Sequence, residues 1–165
     1  MPKLKPGSRK PPAGFDTITG ALDDFDMKMR EAVNLPTDGL RKTETLWPIL
    51  QITRERTRFL FDKARRGEIT QDVVDFCVLN GFADKGLLEK WIIPGYESLC
   101  CNKCVASKDS NFRTTCICRV PRSQRDADVR CQCCGCTGCA SCDGRKERKE
   151  QPAAAALEET PPTEE

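Results

Sequence analysis

Histidine is absent from the 165 residues, which removes the imidazole on which most general acid–base catalysis and many hydrolytic zinc sites depend. Aromatic residues are scarce at 6% while charged residues reach 32% and hydrophobic residues 38%, a composition that suits one domain with a thin core and unfolded flanks. Something besides apolar burial is therefore expected to hold the chain together. Long apolar runs are missing too, and none approaches the roughly eighteen residues of a bilayer-crossing helix. The opening stretch MPKLKPGSRKPP carries Lys3, Lys5, Arg9 and Lys10 among four prolines, so a secretory signal is not expected. A reducing compartment follows as the expectation, and there thiols stay free to bind metal.

What the chain has in quantity is cysteine, twelve in all, eleven of them between Cys100 and Cys142. Clustered C-x-x-C and C-x-C spacings in a reduced protein read as metal ligands. Charge is also uneven. Residues 1–66 carry a net +5, residues 67–142 are balanced, and residues 143–165 carry −3. A basic leading end suits a nucleic-acid or acidic-protein partner.

The periodicity predicts an α fold plus an irregular zinc cluster: an amino-terminal helical part of about four helices, then a cysteine-rich multi-zinc module with little regular structure. Residues 1–13 read as an extended basic arm, 14–96 as the helical part, 97–142 as the cysteine-rich cluster and 143–165 as a disordered tail with a short helix possible around its four alanines. Within the helical part, Leu22, Phe25, Met29, Ala32 and Val33 mark a first helix from about Thr19 to Val33, with Asp23, Asp24 and Asp26 near its front. A loop covers Asn34 to Lys42. A second helix is expected from about Leu46 to Arg66, capped by Thr45 with Pro48 in its first turn. Its inner stripe is Leu46, Leu50, Thr53, Thr57, Leu60, Phe61 and Ala64, flanked by Arg54, Arg58 and Arg65. A third helix spans Gln71 to Asn80 after Thr70 and ends at Gly81, with Cys77 on its apolar side. A fourth covers Lys85 to Ile93, capped by Asp84 and stopped by Pro94-Gly95. Trp47 and Trp91 are expected in the core.

Ligand counting narrows the cluster. Separate four-cysteine sites for three zinc ions need twelve thiolates, whereas three ions sharing three bridging sulfurs need nine. Cys77 belongs to a helix and reads as a buried thiol. Adjacent Cys133 and Cys134 must diverge, so one of them is spare, and Cys142 borders the tail. The nine taken as ligands are Cys100, Cys101, Cys104, Cys116, Cys118, Cys131, Cys134, Cys136 and Cys139. Closed all-thiolate zinc sites are structural rather than catalytic, so no enzyme is expected. Three Zn²⁺ with nine thiolates would carry −3, and Lys103, Arg113, Arg119, Arg122, Arg125 and Arg130 stand among the ligands either to neutralise that charge or to grip phosphate.

The motif order SRKPP, LDDFDMKMREA, RKTETLWPI, TRFLFD, GFADKGLLEKW, GYESLCCNKC, DSNFRTTCICRVPRS and CGCTGC closely resembles the bud-site-selection protein thirty-one (G-ten) family of nuclear pre-mRNA splicing factors, over residues 2–140. The resemblance implies a helical part followed by a zinc cluster, no catalytic activity, and a place in the activated spliceosome beside Prp-nineteen-associated proteins and small nuclear RNA. It also implies family cysteines at the nine positions above and at Cys77, with Cys133 and Cys142 as additions. Ala13-Gly14-Phe15 stands where the family often has an acidic residue, glycine and tryptophan. On this reading the protein is a monomer within a large ribonucleoprotein, bracing RNA and its neighbours. Phosphate or partner contact is expected from Lys3, Lys5, Arg9 and Lys10, from Arg54, Arg58 and Arg65, and from Arg119, Arg122 and Arg125. The alternative is a nuclear zinc adaptor for transcription or ubiquitin transfer that touches only proteins. The tight CGCTGC spacing argues against the cross-braced sites of a RING.

Overall fold

Helices form where apolar residues recur at three- and four-residue spacing, and the computed structural model describes residues 4, 6, 7, 9–106, 115–126 and 128–143. Its four helices are α1 (Asp16–Val33), α2 (Trp47–Arg65), α3 (Gln71–Asn80) and α4 (Lys85–Trp91). No strand occurs among the described residues, and no helix there is long and apolar enough to cross a membrane.

α1 begins earlier than its apolar pattern predicts, because Phe15 is drawn into the core and sets its ring edge-on to Phe76 at 5.1 Å. Asp16 therefore occupies the first turn, and Asp23, Asp24 and Asp26 lie too far along to meet the helix dipole at its strongest. Ile18, Leu22 and Ala32 are buried, whereas Val33, expected inside, is 62% exposed. It is the last helical residue, where the chain leaves the bundle for the exposed stretch 34–43.

The entry to α2 also departs from expectation. Thr45 does not cap the helix: its hydroxyl donates to the Lys42 carbonyl at 2.9 Å, and a single 3₁₀ turn, Glu44–Leu46, leads directly into the helix. That turn rotates Leu46 out of the inner stripe, leaving it 43% exposed. Thr57, fully buried, donates to the Thr53 carbonyl at 2.7 Å and accepts the Asp84 N–H at 3.1 Å. A buried hydroxyl with both roles filled carries little of the desolvation cost that an unpaired one would.

α3 has the expected bounds and stops at Gly81, whose φ of 81° suits a residue without a Cβ. Thr70 is extended but makes no side-chain cap bond. Asp84 caps α4 as its sequence position predicts, with Oδ1 accepting the Gly86 and Leu87 N–H groups at 2.9 and 3.3 Å. The helix ends at Trp91, two residues short of the expected Ile93.

Two cores result. One lies among α1, α2 and α3 and contains Ile18, Leu22, Leu60, Val73, Phe76 and Cys77. The second joins Leu87, Trp91 and Leu99 to buried cysteines. α2 serves both, with Leu60 in the first and Leu50 and Phe61 packed against the second. After Leu99 the described chain has only short 3₁₀ turns, at Asn102–Cys104, Ile117–Arg119 and Arg122–Gln124. The predicted tail helix lies outside the described residues.

Candidate metal centre

The cysteine segment is tied to the helices before its first ligand. Trp91 donates its indole N–H to the Leu99 carbonyl at 3.0 Å, Arg58 donates to the Glu97 carbonyl at 2.9 Å and Arg54 to that of Ser98 at 3.3 Å. Asn102 then donates to both carboxylate oxygens of Asp84, at 2.9 and 3.0 Å, so the cap of α4 also positions the first cysteine turn. Asn102 sits so close to α4 that a Cβ on Gly86 would come within 2.6 Å of its side chain.

The remaining clustered cysteines come from two later segments. Cys139 donates its N–H to the Cys118 carbonyl at 2.8 Å, and the turn from Cys131 to Cys136 closes through Cys131 N–H to Cys136 O at 3.0 Å and Gly135 N–H to Cys131 O at 2.8 Å. Gly135 has a φ of 68°, and a Cβ there would fall 2.5 Å from the Trp47 ring. Trp47, half-buried, donates its indole N–H to the Gln132 carbonyl at 3.1 Å. It is a seam residue between α2 and the cluster, while Trp91 is a core residue.

Nine sulfurs meet in three interlocking groups of four: Cys100, Cys118, Cys136 and Cys139; Cys100, Cys101, Cys104 and Cys134; Cys104, Cys116, Cys118 and Cys131. Each pair of groups shares one sulfur, from Cys100, Cys104 or Cys118. Sulfur separations include 3.3 Å for Cys100–Cys104 and Cys101–Cys104, 3.4 Å for Cys104–Cys131 and Cys116–Cys131, 3.5 Å for Cys118–Cys139 and 3.8 Å for Cys100–Cys118. A tetrahedral metal–sulfur bond of about 2.3 Å sets its sulfurs about 3.8 Å apart, so these groups have the dimensions of four-coordinate thiolate sites. Disulfide sulfurs would be about 2 Å apart, and all twelve cysteines are free. A fourth close set, Cys131, Cys134 and Cys136, takes one unshared sulfur from each group and needs no further ion.

The donor chemistry asks for a cation. Nine thiols packed together, seven of them buried, cannot all ionise, since each thiolate repels its neighbours and burial disfavours charge. Crowding by the Cys101, Cys104 and Cys118 sulfurs, together with burial, pushes the Cys100 thiol up, while its neighbour Cys100 and then Cys104 hold Cys101 down. Bound divalent ions would remove that conflict by holding every ligand as thiolate. The three other cysteines stand apart from the groups. Cys77 is buried in the helical core, where desolvation pushes its thiol up to about 11. Cys142 is exposed. Cys133 is pushed up to about 12 by burial and then by the negative sulfurs of Cys131, Cys116 and Cys101.

The basic residues singled out in the sequence fall into two sets. Several face inward. Arg54 and Arg58 hold the carbonyls ahead of Cys100. Arg119 donates to the Cys139 and Gly95 carbonyls at 2.8 and 2.7 Å, lies 4.0 Å from the Cys139 sulfur and stacks over the Tyr96 ring at 4.6 Å. Arg125 donates to the Val129 carbonyl at 3.1 Å and to that of Thr137, and Arg122 reaches the Thr137 hydroxyl at 3.4 Å. Arg9, Lys10, Arg65, Lys103 and Arg130 are exposed. Lys3, Lys5 and Arg113 lie outside the described residues. The carbonyl-holding role of Arg54, Arg58 and Arg119 had no signal in the sequence, because their acceptors are backbone oxygens 44, 39 and 20 residues away.

Residues 1–141 match the family described as pre-mRNA-splicing factor BUD31. The chain belongs to the BUD31 family. It is 49% identical over 130 residues to the protein BUD31 homolog 2 of Oryza sativa subsp. japonica, covering 78% of this chain and 90% of that one. The pre-mRNA-splicing factor cwf14 of Schizosaccharomyces pombe is 44% identical over 135 residues, covering 81% and 92%. The pre-mRNA-splicing factor BUD31 of Saccharomyces cerevisiae is 38% identical over 134 residues, covering 79% and 85%. All nine sulfurs of the three groups lie within the matched span, and residues 142–165 lie beyond it.

Proposed function

We propose that the protein is a non-catalytic structural component of the nuclear pre-mRNA splicing machinery, folded around three zinc ions held by nine thiolates. The interlocking of three four-cysteine groups through Cys100, Cys104 and Cys118 carries the metal half of this reading, and the family carries the splicing half. Zinc suits an all-thiolate tetrahedral donor set and, with its coordination filled, supplies rigidity rather than chemistry. Cys101 and Cys134, Cys116 and Cys131, and Cys136 and Cys139 complete the three sites as unshared ligands. Arg119, against Cys139, offsets the cluster's surplus negative charge.

RNA contact is assigned first to the arm, through Lys3, Lys5, Arg9 and Lys10. Arg9 and Lys10 are exposed, and such residues hold phosphates without reading bases. Exposed Arg122 extends that surface, whereas the carbonyl contacts of Arg54, Arg58, Arg119 and Arg125 favour a bracing role. Its neighbours would be splicing proteins, the Prp-nineteen-associated group among them, and small nuclear RNA.

Tagged purification from nuclear extract after ultraviolet crosslinking tests this reading. Small nuclear RNA crosslinked through the arm is the expected result, together with three zinc ions per chain by native mass spectrometry. Splicing proteins without crosslinked RNA would leave a protein-bridging module, and recovery of neither would end the splicing assignment.

A further inference from the structure

A groove of about 560 Å³ opens between α2, α3 and α4, with Phe61, Val74, Leu88 and Ile92 among its lining residues. It adjoins the metal centre without belonging to it, since no cysteine lines it. Ile92, at its edge, is 74% exposed, and the next residue, Ile93, is 42% exposed. Two neighbouring isoleucines held in water beside an apolar groove are surface that burial against a partner would stabilise.

One cation at this groove lacks a carboxylate partner. Arg65 lines it, is exposed, and lies over the Phe61 ring at 5.9 Å. The neighbouring cations in and just after α2 have carboxylate partners: Arg58 pairs with Asp62 at 3.3 Å, Arg66 with Glu68 at 3.6 Å, and Lys63 with Glu68. Among the described residues, no carboxylate pairs with Arg65. Glu97, which also lines the groove, accepts the Gly95 N–H at 3.0 Å. The groove walls are helical, so it offers side chains rather than a sheet edge for recognition.

We propose that this groove docks an amphipathic helical segment of a partner protein, inserting large apolar side chains at i and i+3 or i+4 and setting an acidic residue against Arg65. Apolar anchors in such a groove supply most of the contact, and the carboxylate fixes orientation through the bidentate geometry that a guanidinium favours. RNA is a poor occupant, because the lining is apolar and holds a carboxylate.

The test uses the zinc-loaded full chain and does not need its incorporation into splicing complexes, so this inference and the splicing reading can fail separately. A phage-displayed library of twelve-residue peptides is selected on the chain, and enriched peptides are synthesised and titrated. The expected peptides carry apolar residues at helical spacing with an acidic residue, and bind at least tenfold more weakly to Arg65→Glu and to Ile92→Asp. Replacing the peptide's acid by lysine should restore binding to Arg65→Glu. Both substitutions are at exposed positions, and circular dichroism checks that each variant remains folded. Several outcomes would overturn the proposal: no enrichment, peptides indifferent to both variants, or binding seen only after removal of residues 144–165, which would make the chain's own tail the occupant. Concentration-dependent self-association abolished by Ile92→Asp would also overturn it, in favour of a second copy.

Discussion

The two cores of this protein are built from different materials. Around Leu60, the α1–α2–α3 core is apolar, and its buried aliphatic and aromatic side chains each contribute on the order of 1.5–3 kcal/mol when removed from water. Around Cys104 the second core has three large apolar residues, Leu87, Trp91 and Leu99, and otherwise sulfur. Thiols packed this closely resist ionising together, so that core needs a cation to become a favourable arrangement. One region is thus stable because of what it excludes, while the other is arranged for what its sulfurs could bind.

Chelation should separate them most sharply. Stripping divalent metal is expected to unfold residues 97–143 while α1, α2 and α3 persist, since structural zinc can contribute on the order of 10 kcal/mol or more. Amide hydrogen exchange reads this directly: protection at Cys100–Cys104 should vanish while protection at Leu60 and Val73 remains. Uniform loss of protection would mean that the two cores form one cooperative unit.

Leu60→Ala is the reverse perturbation. Removing a fully buried leucine side chain should cost about 2–5 kcal/mol, measured by denaturant melting of the metal-loaded protein. Zinc content per folded chain should be unchanged, and zinc loss below the melting transition would contradict the separation of the cores.

Gly135→Ala attacks the seam. The new Cβ would meet the Trp47 ring and sit at a positive φ, for an expected cost of about 1–3 kcal/mol. Tryptophan fluorescence should shift as Trp47 leaves the Gln132 carbonyl, with metal content unchanged. An unaltered spectrum would show that the seam gives way freely.

The smallest effects belong to the thiols outside the three groups. Cys133→Ser and Cys142→Ser should leave metal stoichiometry intact, whereas Cys104→Ser, which removes a sulfur shared by two groups, should lower it. Alkylation gives a second readout. Exposed Cys142 should react with iodoacetamide at pH 8, and Cys77 should not, because burial raises its pKa to about 11 and keeps it protonated and covered. Native labelling at Cys77 would mean that the helical core opens readily.

Much of this was legible in the sequence, for local reasons. The bounds of α3 are set by an extended residue before it and Gly81 after it, and the start of α4 by the Asp84 carboxylate, all devices acting within four residues. The sulfurs that meet in the structure are the nine taken as candidate ligands from the sequence, though counting alone left Cys133 and Cys134 undivided. Where the reading failed, a longer-range contact had intervened. Phe15 joined a distant phenylalanine and pulled the start of α1 forward. Thr45 satisfied itself within a 3₁₀ turn and left α2 without a side-chain cap. Val33 and Leu46 had the right spacing but stood beyond the ends of the packed interface.

By itself, then, the sequence determined the helix order and the place of the cysteine-rich module, because periodicity, caps and thiol spacing act over a few residues. Only the tertiary structure decided which sulfurs are shared, which arginines hold backbone carbonyls, and where Arg65 and Ile92 meet at one groove. Those relations join residues tens of positions apart, and each depends on the three-dimensional path that packing gives the chain.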